Sequence, residues 1–221
     1  MQAIIDSFFN VPVFLEVLPL LLKGLLLTAQ LVAVVVPLGI LLGLLVAILA
    51  SLEVRWLKVL LVGYVDLLRS FPPLVLVILI FFGLPFVGLN LPGFTAAALA
   101  LLLNGSSYYA EIFRAGIESV PKGQREAARS TGLTLGQTMV WIVLPQAIRN
   151  VIPPLATNTL ELVKATSIAS VVAFPELLRS ARIAQGLVYN PTPLTAAALM
   201  YFVFLWPLVR LLSRLERRMI N

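Results

Sequence analysis

The uncharged stretch Gly24–Leu52, with the sequence GLLLTAQLVAVVVPLGILLGLLVAILASL, decides the fold class of this chain. It is longer than the roughly 20 apolar residues that an α-helix needs to cross a bilayer. Two further uncharged runs, Ser70–Ala110 and Ile183–Val209, also exceed that length. Such runs disfavour a transmembrane β-barrel, whose strands show short alternating segments. The sequence therefore predicts an all-α integral membrane protein.

The composition of the whole chain agrees with a membrane location. Of 221 residues, 60% are hydrophobic and 12% are charged, whereas a soluble domain is about half apolar and about a quarter charged. The chain has no cysteine and no histidine, which excludes disulfides, the usual zinc sites and imidazole catalysis. A net charge of +6 would suggest nucleic acid binding in a soluble protein. Here most basic residues flank apolar runs, so we predict no nucleic acid partner.

The pattern of apolar runs predicts about five transmembrane helices in a single domain over residues 1–221. The predicted spans are about 19–51, 56–82, 94–113, 137–174 and 194–212. Pro72-Pro73 removes two backbone donors from the second span, so we expect that helix to be broken or bent there. A short surface helix is predicted at about residues 121–131, between the third and fourth spans.

The basic residues predict the orientation of these spans. Arginines cluster at the C-terminal end, and we assign this end to the cytoplasm. The charged segment 111–137 then also lies in the cytoplasm, the N-terminus lies outside, and Arg179 and Arg182 fall in an external loop. An odd number of spans places the two termini on opposite sides of the membrane.

The cytoplasmic segment allows two interpretations from its residues alone. A helix outside the membrane whose small residues permit close approach is suited to docking another protein. An ordinary solvated loop would also contain charged and small residues, and physical reasoning leaves the two about even.

The residues Glu126-Ala127-Ala128, Gly132, Ile142 and Leu144-Pro145 resemble the cytoplasmic signature of permease subunits from binding-protein-dependent ABC importers. The neighbouring stretches Tyr109–Ile117 and Val120–Gln124 resemble the polar amino acid branch of those permeases. The resemblance implies a coupling helix that docks an ATPase subunit, with the contact residues Lys122, Gly123, Gln124, Arg125, Glu126, Ala127, Ala128 and Gly132.

The same resemblance implies the partners of this chain. They are two copies of an ABC ATPase subunit, an extracytoplasmic amino-acid-binding protein, and a second permease subunit in a homodimer or a related heterodimer. No G-x-x-x-x-G-K-[ST] phosphate loop occurs in the sequence. We therefore expect no enzymatic site or cofactor in this chain, with ATP and Mg²⁺ bound by the ATPase. The family implies import of a polar or charged amino acid by alternating access across the bacterial inner membrane.

Charged residues inside the predicted spans need protein or water around them, because each costs about 2.5 to 3.5 kcal/mol at mid-bilayer. Asp66 with Arg69, and Glu161 with Lys164, are spaced to pair on one helical face. Each pair either neutralises itself or meets a zwitterionic ligand. The candidate substrate-binding residues are Glu161, Asn158, Asn104, Ser107, Tyr108, Asp66, Arg69 and Lys164.

A different class of function is an ion-coupled amino acid carrier or a channel that works without an ATPase. The intramembrane carboxylates would then be the ion sites. That alternative leaves the cytoplasmic signature unexplained.

Overall fold

The computed structural model describes residues 7–52 and 54–220, without the side chains of residues 215, 216 and 218–220. The described part is mostly helical and contains no strand, which confirms the predicted all-α fold class. The first six residues lie outside the described part, and the external location predicted for the N-terminus stays a prediction.

The first helix, α1 (Val11–Ala50), has 40 residues and begins before the predicted span. At 1.5 Å per residue it is about 60 Å long. Two features let it begin early. The Asn10 side chain caps the helix by accepting a hydrogen bond from the Val13 N–H at 3.1 Å. The proline in the first turn has no N–H, but an N–H at that position would have no partner within the helix.

The second predicted span is broken where the two prolines stand. Helix α2 (Arg55–Ser70) ends before Pro72, and α3 (Pro73–Ile78) begins directly after it. A π-helical turn and a 3₁₀ turn extend α3 to Val87. The two parts are bent by 100°, so the prediction of a break is confirmed.

Helix α4 (Gly93–Glu118) is the central helix of the fold. Its residues Ala97, Leu101 and Tyr109 belong to one hydrophobic core with α1 and with the later helix around Leu162. Its polar stretch 104–109 lowers its hydropathy, but five of these six residues are buried inside the protein. A helix shielded from lipid in this way does not need a continuous apolar surface.

Helix α5 (Lys122–Ser130) lies within the predicted surface helix. The long fourth region contains α6 (Leu135–Thr138), a π-helical turn, α7 (Leu144–Ala165) and a 3₁₀ stretch to Val172. The chain ends in α9 (Thr192–Ile220).

The external loop predicted around Arg179 and Arg182 is instead a helix, α8 (Leu177–Val188). Its first turn is stabilised by Glu176, which is buried and accepts hydrogen bonds from two backbone N–H groups, those of Leu178 (2.8 Å) and Arg179 (2.7 Å). The loop prediction was wrong: this segment forms a short helix whose apolar side chains pack on α1 and α9.

Among the described residues, three helical stretches are long and apolar enough to cross a membrane: Val11–Ala50, Leu135–Val172 and Thr192–Arg214. The bent pair formed by α2 and α3 provides a fourth if it is one span. The predicted total of about five, which also counts α4, stays a prediction.

Candidate functional site

The eight candidate binding residues fall into two groups in the structure. Asn158, Glu161 and Lys164 lie on α7, whereas the other five lie at or beside the break between α2 and α3 or on the adjoining part of α4. No hydrogen bond or ion pair joins the two groups within the described part of the chain. A single cluster of all eight is therefore not formed within one chain.

On α7, Glu161 and Lys164 form the predicted ion pair, with 2.6 Å between Oε1 and Nζ. Both side chains are exposed, at 64% and 53%, respectively. Thr157 is exposed one turn earlier on the same helical face. We call these three residues the polar stripe.

The polar stripe lies within the candidate span Leu135–Val172. Charged side chains in a bilayer face protein or water, because contact with lipid is costly. Many exposed side chains of α1 are large and apolar, including Leu26 and Leu41. The stripe is thus a part of α7 that requires an aqueous or protein neighbour.

The residues beside the stripe are tied to α4. Thr159 makes a hydrogen bond of 2.9 Å with the hydroxyl of Tyr109, which is fully buried. The Asn158 side-chain Nδ2 is buried without a hydrogen-bond partner among the described residues. Tyr109 was not predicted as a site residue, because its contact lies 50 residues away in the sequence.

Asn104 and Ser107 are buried and engaged inside the protein. The Asn104 side chain donates to the carbonyl oxygens of Leu68 (2.9 Å) and Phe71 (3.4 Å), where α2 ends. Ser107 donates to the Asn104 carbonyl oxygen at 2.6 Å. Asn104 therefore satisfies the carbonyls released by the proline break, as expected for polar packing between helices.

Arg69 pairs with a residue that was not predicted. Its Nη1 lies 3.8 Å from Oε1 of Glu111 on α4, and its guanidinium lies 5.4 Å from the centre of the Tyr108 ring. In the described part of the chain, Asp66 forms no ion pair within 4.0 Å. The predicted Asp66–Arg69 pair was wrong, since α4 brings Glu111 closer to Arg69.

Glu111 begins a row of charges along α4. Arg114 donates from Nε and Nη2 to Glu111 at 2.9 and 2.5 Å, and from Nη1 to Glu118 at 2.6 Å. The spacing of three and four residues could have revealed this row in the sequence.

The row forms one wall of a crevice of about 280 Å³ between the end of α1, one face of α2 and α4. We call it the charged crevice. Its charged lining residues are Lys58, Asp66, Arg69, Glu111, Arg114 and Glu118.

Six of the eight predicted coupling residues are exposed, namely Lys122, Gly123, Gln124, Glu126, Ala127 and Gly132. Ala128 is buried within its own chain, and Arg125 donates to the Ile117 carbonyl oxygen at 2.5 Å. These two residues hold the helix in place and leave the other side chains accessible.

Gly132 has a structural reason for being glycine. Its φ of +91° lies in the left-handed region, which glycine adopts without a Cβ penalty. The N–H groups of Gly132 and Leu133 donate to the carbonyl oxygens of Arg129 (3.0 Å) and Ala128 (3.3 Å). This Schellman motif ends α5.

The loop before α5 is fixed to both neighbouring helices. Asn150 of α7 donates to the Ser119 hydroxyl at 2.8 Å, and Val120 packs with Val143 and Ala147. Gly116 of α4 lies against Val151, and an added Cβ would overlap that side chain. The end of α4, the start of α5 and α7 therefore form one packed unit.

A family model described as "Binding-protein-dependent transport system inner membrane component" matches residues 39–221. The chain is 39% identical over 184 residues to the probable amino-acid ABC transporter permease protein YckA of Bacillus subtilis (strain 168), covering 82% of this chain and 80% of that protein. It is 38% identical over 208 residues to the probable glutamine ABC transporter permease protein GlnP of the same organism, covering 92% and 95%.

A solved structure described as "Crystal structure of an amino acid ABC transporter with histidines" has a similar fold. The TM-score is 0.88 at 39% sequence identity, covering 93% of this chain and 96% of that chain.

Proposed function

The chain belongs to the family of binding-protein-dependent transport system inner membrane components, and from that premise we propose that it carries a polar amino acid along the polar stripe of α7. It is a multi-pass membrane protein and the permease subunit of an ABC importer. Relatives that are named for amino acids and for glutamine support an amino acid as the substrate.

The exposure of the polar stripe is the observation that carries this proposal. An ion pair that is more than half exposed within a candidate span has no place against lipid. It fits a water-filled path between this chain and a second permease subunit, where irregular or polar helices commonly build transport sites.

The chemistry of the stripe matches a zwitterion. The Glu161 carboxylate accepts hydrogen bonds from a ligand ammonium, and the Lys164 ammonium donates to a ligand carboxylate. An amino acid that enters between them replaces one ion pair by two, so neither charge loses its partner. Thr157 adds a hydroxyl on the same face.

Glu161→Gln tests this assignment, because it removes the charge and keeps the shape of the side chain. We expect uptake in proteoliposomes to fall at least tenfold or to change its substrate preference, while the complex still assembles. Glu16→Gln, an exposed carboxylate on α1, is the matched control and should transport normally. Unchanged uptake by Glu161→Gln would remove the stripe from the transport path.

We further propose that α5 is the coupling helix and that it lies in the cytoplasm, with the N-terminus outside. The distribution of basic residues supports this orientation. ATP and Mg²⁺ would then be bound by two separate ATPase subunits, and an external binding protein would deliver the amino acid. Closure of the ATPase pair would move α5 together with the packed ends of α4 and α7.

Glu126→Lys tests the coupling role. Glu126 is exposed and forms no ion pair within the described part of the chain, so reversing its charge leaves the fold of the permease intact. We expect the ATPase subunit to dissociate during purification. Gly136→Ala, at a position with no neighbour within 4 Å, is the control and should retain the subunit. Normal co-purification together with normal uptake by Glu126→Lys would exclude docking at this position.

A further inference from the structure

The charged crevice contains two opposite charges that are not matched to each other. It is lined by three basic and three acidic side chains, so its net charge is zero. Arg114 pairs with Glu111 and Glu118 through short hydrogen bonds, which neutralise part of these charges. Three charged residues of α2 remain: Lys58 near its start, and Asp66 and Arg69 near its C-terminal end.

Among the described residues, neither Asp66 nor Arg69 has a close hydrogen-bonded partner of opposite charge. Asp66 is exposed, and its carboxylate has no hydrogen bond or ion pair in the described part of the chain. Arg69 is 38% exposed and lies 3.8 Å from Glu111, a distance longer than a charge-assisted hydrogen bond of about 2.7 to 2.9 Å. Three residues apart on one helix, they face the same space without pairing.

A free α-amino acid has the groups that this arrangement lacks. Its carboxylate suits the planar fork of a guanidinium, and its ammonium suits a carboxylate. Val62 and Val65 of α2 and Val46 of α1 give the crevice an apolar surface for a side chain. A volume of about 280 Å³ lies just below the roughly 300 to 1,000 Å³ of drug-sized sites, as expected for a smaller ligand.

We propose that the charged crevice is a second amino acid site, with the ligand carboxylate on Arg69 and the ligand ammonium on Asp66. It shares no residue with the polar stripe of α7. It lies along the end of α4 that leads into the coupling helix, which is the release side in the proposed orientation. The inference rests on the proposed function for the identity of the ligand.

The absence of cysteine from the chain allows a direct test by protection from thiol modification. A single cysteine is introduced at Val62, an exposed residue of the crevice wall. The complex with its ATPase subunits is placed in phosphatidylcholine nanodiscs and treated with a charged, water-soluble methanethiosulfonate reagent. L-glutamine, L-arginine and glycine at millimolar concentrations are the probes, and N-acetyl-L-glutamine, which lacks the ammonium, is the control compound.

We expect at least one of the three amino acids to slow modification of Val62→Cys at least threefold and N-acetyl-L-glutamine to have no effect. Adding Asp66→Asn or Arg69→Gln should abolish this protection, and adding Glu16→Gln should not. No protection by any of the three, or protection that survives both crevice substitutions, would overturn the proposal. The measurement is repeated in nanodiscs that also contain phosphatidylethanolamine. If this lipid protects Val62→Cys and the amino acids do not, the crevice binds a lipid headgroup and the proposal is overturned.

The same protection measurement at Thr157, on the polar stripe, separates this inference from the proposed function. In a Thr157→Cys background, protection by the same amino acids should be lost with Glu161→Gln and retained with Asp66→Asn. If the expected protection fails only at Val62→Cys, the second site is overturned and the transport path on α7 remains. If the expected protection fails only at Thr157→Cys, the α7 assignment is overturned and a ligand site in the crevice remains.

Discussion

At the scale of single residues, Tyr109 organises the contact between α1, α4 and α7. It is fully buried, its hydroxyl bonds to Thr159, its ring lies against Gly39, and its Cβ lies against Gly43. The two glycines are spaced by four residues, so they lie on one face of α1 and both approach Tyr109. Close approach through glycine is a common way for membrane helices to pack.

Gly43→Ala should destabilise the permease more than an ordinary substitution of glycine by alanine. The new Cβ would lie 2.5 Å from the Tyr109 Cβ and 2.8 Å from the Ser106 carbonyl oxygen, so rotating a side chain cannot relieve the overlap. We expect a loss of about 1 to 3 kcal/mol, as for an overpacked core, measured as a lower melting temperature in detergent. Gly63→Ala, with no neighbour within 4 Å, should be neutral or stabilising by up to about 1 kcal/mol. Equal melting temperatures for the two variants would contradict this packing.

At the scale of elements, the break between α2 and α3 is held by a side chain from a different helix. Pro72 and Pro73 stop α2 and leave carbonyl groups at its end without helical donors. Asn104 of α4 supplies two of the missing hydrogen bonds. The bend is therefore a defined structure and not a flexible joint.

Asn104→Ala should loosen this bend. It leaves the carbonyl groups of Leu68 and Phe71 without their donor, which costs about 1 to 3 kcal/mol for buried groups. Faster hydrogen exchange of the amides in residues 66–76, together with a lower melting temperature, is the expected result. Ser107→Ala removes a hydrogen bond within α4 itself and should have a smaller effect on those amides. If both substitutions changed exchange equally, Asn104 would have no special role at the break.

A second element-scale prediction concerns the joint between α4 and α7. Gly116→Ala places a Cβ into the Val151 side chain, so it should push the start of α5, the proposed coupling helix, away from α7. We expect ATP hydrolysis to continue while uptake per ATP falls several-fold. Val151→Ala in the same chain removes the overlapping methyl groups and should restore uptake per ATP. A double variant that is no better than Gly116→Ala would show that the joint is not the cause.

The sequence predicted those elements whose signal is local. The paired prolines gave the break, and the cluster of small and charged residues after Pro121 gave α5. Helix α8 was missed because its stabilising contact is distant: Tyr201 donates to the buried Glu176 at 2.6 Å across 25 residues. Glu111 was missed as the partner of Arg69 because the two are 42 positions apart, and no periodicity within one helix connects them.

At the scale of the whole molecule, two kinds of exposed surface must meet two different surroundings. Large apolar side chains cover much of α1, with Leu41 exposed at 61%, and they suit lipid. The polar stripe on α7 requires water or a second subunit. Thr157 and Leu41 are both accessible in a single chain, so the environment in the membrane, not the fold of the chain, distinguishes them.

Cysteine accessibility should show this difference and its dependence on the ATP cycle. In proteoliposomes with the ATPase subunits, we expect a membrane-impermeant thiol reagent to label Thr157→Cys from one side without nucleotide. Labelling from that side should fall at least fivefold when the ATPase is trapped with vanadate, because rocking of the helices closes one access and opens the other. Leu41→Cys should stay unlabelled from both sides in both states, since lipid excludes a charged reagent. A Thr157→Cys that is labelled from both sides at once, regardless of nucleotide, would indicate a channel, and alternating access would have to be abandoned.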